Sequence, residues 1–247
     1  MGCEMKTLPQ ETIKIVNEYC IKYNEPEDHI RNLFGFIEDN KLLDEVVIAY
    51  LTARYIYKLG QGLSCSGNEL HAHSKFQIMQ YASIYEAVIG YMLEDVYKEH
   101  DLVKKLSYGS EFIPSDYSKK LIFSDVDGSN LVLCKQKPLK RDKTAIKFDD
   151  KIACCIKIGF IHSSIGHEIS KFYKLRNGIH LSNAIKNVIT YDTAQAQVAY
   201  RRLRPFALGI KDYLTEGKLK SSAMTKDAFS QIQAEKRVAR GRTKASK

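Results

Sequence analysis

Apolar residues recur at spacings of three and four along most of this chain, the signature of helices with one buried face. Ile13, Val16, Tyr19, Cys20 and Tyr23 predict a first helix ending near Asn24, with Thr7 and Gln10 as its capping box. Ile30, Leu33, Phe34 and Ile37 predict a shorter second helix after Pro26. A long helix follows over Lys41 to Leu59, carried by Leu42, Leu43, Val46, Val47, Tyr50 and Leu51 and closed by Gly60-Gln61-Gly62. The stretch to Ser74 reads as a loop. The most apolar segment, Lys75 to Glu99, predicts the central core helix.

The period changes between His100 and Lys147. Leu121-Ile122-Phe123 and Leu131-Val132-Leu133-Cys134 flank the turn-forming run Asp125 to Asn130, which predicts a β-hairpin. Lys135 to Lys143 reads as a basic loop, with a short strand over Thr144 to Phe148 and an RNA-contacting surface on the insertion. Helical spacing resumes near Asp149 and Asp150, breaks over Phe160 to Ser164, and runs again from Ile165 to Leu175. After the motif the pattern Leu181, Ala184, Ile185, Val188 and Ile189 predicts continuing helix. Asp192 and Gln195 then mark the start of a final helix to about Leu214, which Pro205 should kink. The organisation expected is all-α: an N-terminal helical hairpin over 1–39, a helical domain over 40–216 with an insertion at 119–147, and a tail over 217–247.

Composition narrows the picture. A chain of 247 residues buries roughly 70 to 75% of its unfolded surface and needs no covalent staples. Its six cysteines form no C-x-x-C pair and no zinc-ligand spacing, which fits free thiols in a reducing compartment. No apolar run approaches a membrane span and no leader pattern opens the chain. Met1-Gly2-Cys3 resembles a lipidation start, but Lys6 stands where Ser or Thr is required, so a cytoplasmic location without membrane attachment is expected. The net charge of +9 is concentrated: the segment from Gly217 onward holds nine basic and two acidic residues, or +7. Such a tail either contacts a polyanion or stays solvated.

Candidate chemistry sits at Tyr173 to Asn183. In a continuous helix Arg176 and His180 would stack on one face. A guanidinium grips phosphate oxygens at any pH, and an imidazole moves protons near neutrality. Asn177 adds a neutral donor and acceptor, and Gly178 permits a bend or a close approach. The same spacing also occurs in ordinary surface residues. Glu86 is a carboxylate flanked by core positions, placed either toward the motif, where it would orient Arg176 or His180, or on the solvent stripe. Lys174 and the cluster Arg201, Arg202 and Arg204 are candidate RNA contacts. His71 and His73 lack a third metal ligand, and the Asp125, Asp127, Gly128 run lacks the later acidic ligand of a calcium loop, so no metal or other cofactor is expected.

The phrase Leu175-Arg176-Asn177-Gly178-Ile179-His180-Leu181 resembles the signature of HEPN domains (higher eukaryotes and prokaryotes nucleotide-binding). Ser83 to Ile89 resembles that family's earlier core helix, Phe148 to Tyr173 the helix pair leading to the motif, and Tyr191 to Leu214 its closing helix. The resemblance spans roughly residues 40 to 215. Three residues separate Arg176 from His180, against four to six in the usual motif. What the resemblance implies is a HEPN-like helical bundle with a small β-hairpin insertion and a basic tail. It further implies a metal-independent endoribonuclease of a toxin or antiphage defence type, with catalytic Arg176 and His180. A homodimer that brings two motifs to one cleft, and a neutralising antitoxin or defence-system partner, belong to the same expectation. The shortened spacing leaves an alternative, a non-catalytic HEPN-like RNA-binding or protein-interaction module.

Overall fold

The computed structural model describes residues 7–117, 123–180, 185–186 and 189–219. The protein is mostly helical, as the periodicity predicts. Its helices are α1 (Gln10–Lys22), α2 (Glu27–Leu33), α3 (Asn40–Gly62), α4 (Gly67–Tyr91), α5 (Asp101–Leu106), α6 (Phe148–Ile158), α7 (Ser163–Asn177) and α8 (Thr193–Glu216). A single π turn, Met92–Val96, extends α4.

Helix α4 is the axis of the molecule, packed by α3, α7, α8 and α6. Tyr81, Ile84, Tyr85, Val88 and Ile89 are fully buried along it. Tyr85 shows how the layers lock. Its ring stacks on Phe172 of α7 and meets Phe206 of α8 edge-on, while its hydroxyl donates to the Ala199 carbonyl at 2.7 Å. A buried phenol thereby keeps its polar end satisfied at the centre of an apolar core. Burial, the neighbouring Glu168 carboxylate and Tyr81 push its pKa well above the ordinary value, against the Arg202 charge.

Several starts and stops follow local chemistry. Asp39 caps α3 by accepting from the Lys41 and Leu42 amides, and Asp192 with Gln195 forms the reciprocal capping box expected for α8. Helix α1 instead begins after Pro9 with no side-chain cap, so Thr7 does not play the part assigned to it. Helix α4 begins eight residues earlier than the sequence pattern suggests. Gly67 to Ser74, read as loop, forms its first two turns, with His73 donating from Nδ1 to the Ile56 carbonyl of α3 (3.1 Å). Pro205 lies inside α8, where its missing N–H removes one backbone bond. The second helix of the expected hairpin joins the main body, because Ile30, Leu33, Phe34 and Ile37 belong to the central core cluster.

The insertion is β-structured but differs from the hairpin expected. Strands β1 (Tyr108–Pro114) and β4 (Cys134–Lys140) pair antiparallel, with Tyr108 opposite Lys140 and Phe112 opposite Gln136. The turn region carries a second small ladder, β2 (Phe123–Ser124) with β3 (Asn130–Leu131). Most of the segment read as a basic loop is therefore strand β4, and Lys143–Ala145 forms a 3₁₀ turn where a strand was expected. Leu121 and Ile122, the helix expected over 181–184 and 187–188, and the tail from Lys220 lie outside the described residues. No helix of the described residues is long and apolar enough to cross a membrane.

Candidate functional site: an arginine clasped at the end of α7

Helix α7 ends at Asn177, so the continuous helix that would stack Arg176 over His180 is not what forms. The chain leaves through a tight turn instead. The Gly178 amide donates to the Leu175 carbonyl at 3.0 Å and the Ile179 amide to the Arg176 carbonyl at 3.1 Å. His180 follows this turn and is exposed, as is Asn177.

Gly178 is there for space rather than for handedness, since its φ of −72° suits any residue. A Cβ at this position would lie 2.5 Å from the Tyr191 hydroxyl and 2.7 Å from Ile189 Cδ1. The Tyr191 hydroxyl in turn donates to the Leu175 carbonyl at 2.8 Å, a second donor beside the Gly178 amide at the end of the helix. Its ring meets His71 edge-on and carries the Lys75 ammonium 5.2 Å from its centroid. The first turns of α4 therefore brace the residue that braces the motif.

Arg176 reaches across to α4, where its Nη1 donates to Glu86. Of the two orientations open to Glu86, the structure has the one that faces the motif. Both side chains keep about a third of their surface in solvent, 33% for Arg176 and 36% for Glu86. The guanidinium also lies 5.7 Å from the Tyr173 ring, one turn earlier on α7. Five donors in a planar fork leave Arg176 with capacity for an anion beyond Glu86.

A cleft of about 410 Å³ opens beside this pair, lined by Glu86, Glu94, Phe148, Lys151 and Tyr173 among others. Tyr173 stacks on Phe148 with ring centroids 4.0 Å apart, joining α7 to the start of α6. Lys151, also in the lining, pairs with Glu94 at 3.3 Å. Tyr191, Glu94 and Lys151 are residues of the site that sequence reasoning did not assign, and Tyr173, which opens the candidate stretch, was given no role in it. Spacing could have suggested Tyr173, three residues before Arg176, but nothing in the pattern links α4 to Tyr191.

The other expected RNA contacts divide. Lys174 is exposed and pairs with Asp149 at 3.1 Å. Partial burial pushes the Asp149 carboxyl up, but bonds from Lys174 and Ser170 outweigh it and hold the carboxyl below its usual range. Arg201 is exposed. Arg204 reaches Glu25 at 3.6 Å. Arg202 turns inward, its guanidinium bonded to the buried Glu168 of α7 at 2.5 and 3.3 Å. Three arginines close in sequence thus fail to form one basic patch, and Arg202 in particular is a structural residue rather than an RNA contact.

Among the described residues no group of three His, Cys, Asp or Glu side chains gathers as a metal site. No family model, curated protein or solved structure matches the chain.

Proposed function

We propose that the protein is a metal-independent endoribonuclease of the toxin or antiphage defence type, in keeping with its resemblance to HEPN domains. The observation that carries this reading is the clasp of Arg176 by Glu86 at an open cleft, with an exposed imidazole four residues further on in a braced turn. The RNA 2′-hydroxyl attacks the adjacent phosphorus, the bond from phosphorus to the 5′-oxygen breaks, and the products are a 2′,3′-cyclic phosphate and a 5′-hydroxyl. His180 accepts or supplies the proton, and Arg176 offsets charge growing on the phosphoryl oxygens. Removing one proton while delivering another calls for two acid–base groups, which a homodimer with two facing motifs supplies.

Positioned proton transfer contributes on the order of 100-fold to 10,000-fold. Cleavage by the full chain should fall by about that factor in His180→Ala and in Arg176→Ala, with folding unchanged, and should persist in a chelator. Undiminished cleavage by His180→Ala would end the proposal. One observation favours the non-catalytic alternative: the Glu86 carboxylate already neutralises Arg176. Under that reading the native chain binds RNA and leaves it intact.

A further inference from the structure

Three neighbouring hollows on the molecule share lining residues. The first, about 280 Å³, lies between α5, the base of the β1–β4 ribbon and α6, and is lined by Lys105, Tyr108, Arg141, Asp150 and Lys157. Leu106 also lines a narrower hollow of about 90 Å³ beside Lys98. That one shares Glu94, Ile146 and Lys151 with the cleft beside Arg176. Taken together as one groove, the three hollows run from the ribbon to Glu86 and Tyr173, the residues that meet Arg176.

We propose that this groove is a track for single-stranded RNA, with Lys105, Arg141 and Lys157 as a phosphate cradle at its far end. Among the described residues none of these three cations is bonded to an acidic side chain, and Asp150 supplies the only carboxylate in their stretch of the groove. Three exposed cations around one hollow, against the single carboxylate of Asp150, give it a net positive charge that attracts an anion. The ribbon adds the features that favour a polynucleotide over a small anion. Tyr108 and Phe112 are 53% and 66% exposed, and as the first and fifth residues of β1 they lie on one face. Four residues of strand separate them by about 13 Å. Aromatic rings presented in this way stack on unpaired bases of any sequence, whereas a duplex keeps its bases stacked inside. Strand β4 lays Lys135, Lys137 and Lys140 along the same ribbon.

The inference rests on the ribonuclease reading for the identity of the polymer, and its test is a binding measurement made without cleavage. The full chain carrying His180→Ala is titrated against a labelled single-stranded RNA of about 12 nucleotides. Adding Lys105→Gln, Arg141→Gln and Lys157→Gln should weaken binding at least tenfold. It should also lower the slope of log affinity against log salt by about 2, since each phosphate contact on a single strand contributes about 0.7. Lys105→Arg with Lys157→Arg, which keep the charge, should bind as the parent does, and Tyr108→Ala should weaken binding about fivefold or more. A control on the far helix, Lys14→Gln with Lys22→Gln, should leave affinity within about twofold, because those side chains lie outside the groove.

Unchanged affinity in the triple variant, an equal loss in the α1 control, or polyglutamate competing as well as RNA would overturn the track. The two readings fail separately. If His180→Ala abolishes cleavage while the triple variant binds normally, the track is wrong and the nuclease stands. If the triple variant loses binding while His180→Ala still cuts, the catalytic assignment is wrong and the track stands.

Discussion

Two arginine–glutamate pairs tie α7 to its neighbours, and they differ in what surrounds them. Arg202 of α8 meets Glu168 where only 12% and 4% of the side chains see solvent. Arg176 meets Glu86 with about a third of each exposed, at the lip of a cleft. In the first, desolvation makes each charge dependent on the other, so the pair serves the packing of α7 on α8. In the second, water screens the charges and the bond contributes little to stability. What it fixes is the direction of a guanidinium that can still meet a ligand. Identical chemistry is structural in one setting and available for function in the other.

The largest effect expected from this contrast is on stability. Glu168→Ala strands the Arg202 charge in the interior and should cost about 3 to 5 kcal/mol, measured by urea unfolding. Gly178→Ala drives a methyl group into the Tyr191 hydroxyl and should cost about 1 to 3 kcal/mol, while lowering whatever activity His180 supports. Glu86→Gln should change stability by less than about 1 kcal/mol yet reduce RNA cleavage, which would separate orientation from folding. A loss of stability as large as that of Glu168→Ala would erase the distinction between the two pairs.

The smallest effect concerns the exposed Lys174–Asp149 pair. Lys174→Met should move the Asp149 carboxyl back up toward its ordinary pKa, readable by NMR titration, for less than about 1 kcal/mol in stability. Because the folded-state pKa is depressed, that contribution is present above the unfolded carboxyl's pKa and disappears as pH falls through the folded value.

The helical body was legible because its faces are one-sided. The burial of Val46, Val47, Tyr50, Ile84, Tyr85, Val88 and Ile89 reproduces the spacing from which α3 and α4 were inferred. The failures have a common cause. The first turns of α4, Gly67 to Ser74, carry little apolar signal and form on the continuing helix and its contact with α3. Strand β4 is exposed at every position, so no alternation marks it, and its lysines and Pro138 imitate a loop. At the candidate site, motif spacing identified Arg176 and His180, and Glu86 was singled out as a carboxylate among core residues. Whether the last faced solvent or the motif depended on how α7 packs across α4, a long-range contact that no local pattern encodes. Gly178 allowed a bend, but the helix end at Asn177 was not legible, and neither was the arrival of Tyr191, from fourteen residues beyond Asn177, in the space that Gly178 leaves.

The central claim is that Arg176 and His180 act on one phosphodiester. Its most direct test is to incubate a defined RNA with the native chain and with His180→Ala, in the presence of a chelator, and to identify the new ends. The account expects 2′,3′-cyclic phosphate and 5′-hydroxyl ends from the native chain and essentially none from the variant. Equal cleavage by both chains, or a reaction that the chelator abolishes, would contradict it.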